Sequence, residues 1–257
     1  MVNTSDKSVI PLNNLPVPAE SGSIISQTID PNNGETSIRF RKGTTNEKDI
    51  FIEVWDGSRG FVSSLKVTDK IKMVYNDTVF GGASWSRDGK KVVFIGEKPE
   101  IASYKPFFKD AEEKKEEEKK DQEEGDKKKE EKKEEHWQDE KFLYKEHFGE
   151  TLTTKQRPAI FVFNLEENKL KQVHFSKHLL DTDYPQYPVF DQESTGIIFT
   201  CLHLPIKKLG LNFCLNKPVS LEYIKNPKFT KEDAEKEENY LQCLNNGEYF
   251  SMQPRFS

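Results

Sequence analysis

"IFIEVWDGSRGFVSSLKV", Ile50 to Val67, is two runs of alternating apolar and polar residues on either side of Asp56-Gly57. A period of two puts the apolar side chains on one face of a strand, and Asp-Gly between two such runs marks a hairpin turn. The pattern recurs. "IFVFNLEENKLKQV" (Ile160 to Val173) is a second pair of runs around Glu166 to Asn168, and "VSLEYI" (Val219 to Ile224) is a shorter echo. After each comes a second element, in which an aromatic start leads through a polar turn into an apolar strand: "SWSRDGKKVVFI" at Ser84, "PVFDQESTGIIFT" at Pro188 and "PRFS" at Pro254. Trp85, Phe190 and Phe256 recur at intervals of 105 and 66 residues, and setting aside the 33 residues of Lys109 to Lys141 shortens the first to 72. Periods this long imply four-stranded units that carry long connections or additional strands. The expected fold is all-β, an incomplete β-propeller of about three to four blades with a long charged insertion, and a β-sandwich is the second choice.

Charge is unevenly placed in this 257-residue chain. Lys109 to Lys141 holds 11 lysines and 16 acidic residues, which accounts for the whole formal net charge of −5. The remainder is neutral, without the basic surplus that attracts a phosphate backbone, so nucleic acid is not an expected partner. Lys109 to Glu135 has one apolar residue, Ala111, and offers no stripe for a core to hold. Pairs such as Glu116 with Lys120 and Glu123 with Lys127 support helix weakly, and Gly125 interrupts them. This segment is expected to be a solvated surface insertion, helical or disordered. The implied organisation is an unassigned segment at 1–48 compatible with a partial blade, blade regions at 49–108 and 142–257, and the insertion at 109–141 between them, with the last blade cut short. No apolar run is long enough to span a bilayer, and the amino terminus lacks a basic region leading into an apolar one. Three cysteines, Cys201, Cys214 and Cys243, suit reduced thiols rather than a disulfide framework, so the expected location is the cytoplasm.

Several residues invite a catalytic reading, and each meets a plainer one. Ser84 follows Gly82-Ala83, but Ser86 stands where a nucleophile elbow needs glycine, and a turn and a strand follow where that motif needs a helix. His174 and His178 have the spacing of two ligands on one helix face, without the second pair that a structural zinc requires. Cys201 and Cys214 lack paired C-x2-C spacing and an activating base. Asp181 with Asp183, and Glu166 with Glu167, are carboxylate pairs in polar turns whose spacing specifies no reaction. Trp55, Trp85 and Phe190 are expected in the core because they lie in alternating strands; Tyr184 and Tyr187 join the same aromatic set. No residue is therefore assigned a catalytic, metal or cofactor role, and no cofactor is expected.

Four stretches carry a family likeness. "FIEVWDGSRGFVSSLKV", "YNDTVFGGASWS", "FLYKEHFGETLTTKQRPAIFVFNLE" and "GIIFTCLHLPIKKLGLNFCLNKPVSLEYI" together resemble the amino-terminal propeller of the acylaminoacyl peptidase (acylamino-acid-releasing enzyme, acylpeptide hydrolase) family, of the prolyl oligopeptidase class. The last stretch is the most specific. The resemblance covers about residues 49 to 257 outside the charged run. It implies a propeller that caps an α/β-hydrolase domain of the same polypeptide, whose Ser-Asp-His triad releases N-acylated residues from short peptides; it is also compatible with a homo-oligomer. No triad residue of that family matches any position here. The expectation is thus a piece of a longer enzyme, with Leu204 to Phe213 as a loop that could face its site, because three blades alone leave sheet edges open. A free-standing β scaffold that binds protein partners is the alternative.

Overall fold

A computed structural model describes residues 23–99, 148–149, 152–175, 183–203, 219–236 and 241–245. The charged insertion, the Leu204 to Phe213 loop and the element at Phe256 lie outside them. Strands β1 (Ile24–Ile29), β2 (Thr36–Lys42), β3 (Ile50–Asp56) and β4 (Gly60–Lys66) form one antiparallel meander. In the second sheet β5 (Met73–Val74) and β6 (Ser84–Trp85) share one edge of β7 (Lys91–Glu97), whose other edge pairs with β8 (Pro158–Asn164), followed by β9 (Lys169–Gln172). The third sheet runs β10 (Asp183–Phe190), β11 (Gly196–His203), β12 (Val219–Lys225) and β13 (Leu241–Cys243), with the short helix α1 (Lys231–Lys236) before its last strand. The fold is all-β, and its four-stranded meanders are propeller blades. No helix among the described residues is long and apolar enough to cross a membrane.

The hairpins read from the sequence are present, but they do not combine as the sequence period suggests. The hairpin at 50–67 closes the first blade, and "SWSRDGKKVVFI" opens the second. The boundary drawn before residue 49 therefore passes through a single sheet, which takes β1 and β2 from the segment left unassigned. Each blade begins with the same kind of turn. The N–H of Asp30 donates to the carbonyl of Thr36 at 2.8 Å, that of Ser86 to Lys91 at 2.9 Å, and that of Asp191 to Gly196 at 3.0 Å. These turns also touch in series. Gly89, at φ +68°, lies so close to the first turn that a Cβ there would stand 2.7 Å from Asp30 Oδ2. The N–H of Arg87 donates to Ser194 Oγ at 3.0 Å in the third turn.

The central blade is buried on both faces. Alternation along β7 and β8 sends Val92, Phe94, Ala159, Phe161 and Phe163 toward Ile38, Phe40, Ile52 and Val54 of the first blade. Val93, Ile95, Ile160 and Val162 face Phe190, Ile197, Phe199 and Ile224 of the third. This is why "VVFI" and "AIFVF" are unbroken apolar runs. Phe40 and Phe94 meet at 4.7 Å between ring centroids, a tilted contact at the middle of the first interface. Trp85 joins that interface and donates its indole N–H to Thr28 Oγ1 at 3.0 Å. Phe190 is in the other core, whereas Trp55 belongs to neither, contrary to expectation. Its alternation places it on the far face of the first blade, against Phe61.

β7 and β8 are neighbours across the ladder, but β7 ends at Glu97 and β8 begins at Pro158, too far along the sequence for a tight turn to set their register. A buried carboxylate does. Glu97, opposite Pro158, accepts the N–H of Gln156 at 3.0 Å and of Arg157 at 2.8 Å, and the hydroxyl of Tyr75. Burial, and then the charge of Glu97, pushes the Tyr75 phenol far above its ordinary range, so it serves as a donor. Removing the carboxylate strands two backbone donors, at about 1–3 kcal/mol each. Glu97→Ala is therefore expected to lower the unfolding free energy by about 2–5 kcal/mol in urea titration, and Glu97→Gln by less.

Asp191 supplies a pH dependence of definite sign. Burial raises its pKa, but the N–H groups of Gly196 and Thr195 and the Tyr223 hydroxyl at 3.1 Å outweigh burial and hold it below the usual carboxylate range. A depressed folded pKa stabilises at pH above the unfolded value of about 3.9, and the gain disappears as pH falls through the folded value. Asp191→Asn should flatten that acid limb in melts taken from neutral pH down to about pH 2.5.

Candidate functional site

A cleft of about 510 Å³ opens between the central and third blades, lined by residues 76–78, 81–84 and 187–189. Its geometry follows from one turn and one bulge. Asp77 Oδ1 accepts the N–H of Val79 at 2.8 Å and of Phe80 at 3.0 Å, while its other oxygen pairs with Lys155. The register of β10 shifts between Gln186 and Val189, and Tyr187 adopts φ +49° in that bulge. This turns its ring onto Gly81, itself at φ +86°, where a Cβ would lie 2.6 Å from Tyr187 Cδ1. The Tyr187 N–H donates to the Phe80 carbonyl at 2.9 Å and its hydroxyl to that of Thr78, so the two walls are locked together. Hydroxyls, the Asn76 amide, the Asp77 carboxylate and the aliphatic side chains of Ala83, Pro188 and Val189 line the cleft, without histidine or cysteine. Such a lining can hold a polar ligand by hydrogen bonds.

Ser84 lies in this lining, half-buried in β6 opposite Val93, and the turn at 86–90 and strand β7 follow it. A Ser-His-Asp constellation exists elsewhere, and the sequence reading passed over it. Asp183 Oδ1 is 2.7 Å from His203 Nδ1, and His203 Nε2 is 2.8 Å from Ser220 Oγ, across three neighbouring strands. Its order and distances are those of a nucleophile, base and orienting acid. Ser220, however, is only 3 % exposed, pairs with Cys201 one step from the end of the β11–β12 ladder, and lines neither this cleft nor a second one of about 420 Å³ beside Lys91, Lys171 and Phe229. The chain of hydrogen bonds ties β10, β11 and β12 together at one end of the sheet. Asp183 and His203 are direct partners in the β10–β11 register, a proximity invisible along the sequence.

The other candidates disperse. His174 follows β9, where its N–H donates to the Lys228 carbonyl at 3.0 Å, and its proposed partner His178 lies outside the described residues. Cys201 is buried in β11, and desolvation, followed by the charge of Asp183, pushes its thiol well above the ordinary range, which makes it a poor nucleophile. Cys214 and Asp181 fall outside the described residues. Glu166 pairs with Lys90 at 2.8 Å on the surface, and Glu167 accepts from Asn164 within its own turn. No group of three or more metal-ligating side chains gathers among the described residues.

Fold and site define a class: an all-β domain of propeller blades with rigid, hydrogen-bonding clefts between them. The chain belongs to the family of acylamino-acid-releasing enzyme N-terminal domains, whose model matches residues 1–257. The acylamino-acid-releasing enzymes of Sus scrofa and Homo sapiens are each 24 % identical to it over 206 residues, 79 % of this chain and 27 % of theirs. That of Arabidopsis thaliana is 25 % identical over 214 residues, 82 % of this chain and 26 % of its own. The chain thus spans about a quarter of the length of these curated relatives. Among solved structures, an acylaminoacyl peptidase in complex with Z-Gly-Gly-Phe-chloromethyl ketone matches at 11 % identity and a TM-score of 0.35, over 79 % of this chain and 23 % of that one. The β-propeller domain of the Trilobed protease from Pyrococcus furiosus matches at 10 % identity and a TM-score of 0.30, over 81 % and 57 %.

Peptide mapping of the 257-residue chain after treatment with a fluorophosphonate should find Ser84 and Ser220 unmodified. A phosphonylated Ser220 that is lost in His203→Asn would make the relay a reactive centre.

Proposed function

We propose that this chain is the propeller domain of an acylaminoacyl peptidase of the cytoplasm, standing over an α/β-hydrolase domain carried by the same polypeptide and limiting access to short N-acylated peptides. The observation that carries this reading is the family match along all 257 residues. Two physical features support it. Sheets packed face to face through apolar cores make a stiff partition, since interiors at native packing density deform little. The cleft between the central and third blades is walled by backbone and small polar groups, which suits a passing or transiently held peptide better than bond cleavage. In this division of labour the chemistry belongs to the hydrolase domain, and the blades decide which substrates reach it.

The test is on the native gene product. It should label with fluorophosphonate outside residues 1–257, and its kcat/KM should be at least tenfold higher for an N-acetylated tripeptide than for an N-acetylated 30-residue peptide. Glu97→Ala, which loosens the central blade, should narrow that ratio. A product that does not label, or that cleaves both lengths equally well, would overturn the proposal.

A further inference from the structure

The second cleft, of about 420 Å³, lies between the central and third blades among their turns, and its lining carries a surplus of positive charge. Three lysines, Lys91, Lys171 and Lys228, line it with a single acid, Glu167. That acid is engaged beside its own turn. Its Oε1 accepts from the Asn164 amide at 3.2 Å, and its Oε2 lies 3.5 Å from Lys171 Nζ and 3.9 Å from Lys169 Nζ. Asp88 and Asp233, which also attract Lys91 and Lys228, stand outside the lining.

Hydrogen bonds tie the walls together. Lys91, the first residue of β7, reaches across to the third blade and donates to the Ser194 carbonyl at 3.3 Å. An ammonium has three protons to give, so this bond leaves it donors to spare. The N–H of Asn226, at φ +54° after β12, donates to the Thr195 carbonyl at 3.1 Å, and the Lys228 carbonyl accepts the His174 N–H. The Asn226 side-chain amide makes no hydrogen bond among the described residues. Val162 and Phe190, both buried, supply an apolar floor. Phe229 is 37 % exposed, with its ring centre 5.1 Å from Lys171 Nζ.

This lining sorts ligands. A bare inorganic anion would satisfy the lysines but leave the apolar floor wet, and a wholly apolar molecule would desolvate ammonium groups without pairing them. A carboxylate beside an amide and an apolar side chain meets all three parts at once. We propose that this cleft binds the carboxyl-terminal end of an acylated amino acid, free or at the end of a short peptide, with its carboxylate among Lys91, Lys171 and Lys228. Its amide pairs with Asn226, and its side chain lies over Val162 and Phe190 against Phe229. The supply of such molecules rests on the reading of this chain as part of an acylaminoacyl peptidase; the chemistry of the cleft does not.

Photoaffinity mapping tests it. The native polypeptide is treated with fluorophosphonate, which closes any downstream serine site, and irradiated with N-acetyl-4-benzoylphenylalanine or with an acetylated tripeptide ending in the same residue. The excited ketone inserts into a neighbouring C–H bond, and peptide mapping locates the link. It is expected within residues 162–171, 190–195 or 226–229. The primary amide of the same probe should link about tenfold less, the loss of roughly one charge-assisted hydrogen bond. Lys91→Gln and Lys171→Gln should each raise the half-saturating concentration of the acid about fivefold. The probe that saturates at the lower concentration separates a released acylamino acid from a peptide terminus. Equal linking by acid and amide, links only elsewhere, or displacement by equimolar orthophosphate would each overturn the proposal. A product that takes up fluorophosphonate and cleaves acylated peptides without a link in the cleft sinks this inference alone, whereas one that links as expected but takes up no fluorophosphonate sinks the peptidase reading alone.

Discussion

The arrangement depends on the carboxylate of Glu97. β7 and β8 must pair edge to edge, yet 60 residues of sequence stand between the end of one and the start of the other. A separation of that length in sequence does not fix register, and a slip by one residue would exchange the two faces of the strand. Here both faces are apolar, so hydrophobic pattern alone discriminates poorly between registers. The two N–H groups on the returning strand, at Gln156 and Arg157, meet two fixed oxygens on the departing one. Tyr75, from the segment leading into the blade, closes the site from a third direction.

With that register fixed, the central blade can serve both neighbours. Phe94 and Phe161 stack at 6.0 Å on the side of the first blade, while Ile95 and Ile160 supply the other core. The turns also meet along the stack, Gly89 lying close against Asp30 and the Arg87 N–H donating to Ser194 Oγ. Apolar packing holds the sheets together and is tolerant of small displacements; the Arg87–Ser194 hydrogen bond is directional and ties the second turn to the third. The Tyr187 bonds to the carbonyls of Phe80 and Thr78 join the two walls of the cleft in the same way.

The hairpins were legible because they are local: alternation marks the strands, and Asp56-Gly57 and Arg87-Asp88-Gly89 mark the turns. Blade membership was not, because it depends on pairing across the excursion and on recognising "IDPNNGETSIRF" (residues 29–40) as another copy of the opening turn. That copy was findable, since it has an acidic residue, a glycine before the strand and apolar alternation after it, but it lacks the aromatic that marked the others. Trp55 shows a different limit. Alternation assigned it a face, and only the stacking of sheets tells which face is covered. The Asp183–His203–Ser220 chain was out of reach for the same reason as the register: its three members come from separate strands, and their neighbours in sequence have no catalytic signature.

The contact between Gly81 and Tyr187 has an evolutionary consequence. The two positions belong to different blades, and each adopts a left-handed backbone conformation that makes room for the other. Any side chain at 81 would strike the ring, and a smaller residue at 187 would release the bulge that turns β10 into the cleft. In a set of relatives these two columns should therefore change together, with glycine kept wherever an aromatic is kept, so that the shape of the opening is inherited as a pair of residues rather than as two independent ones.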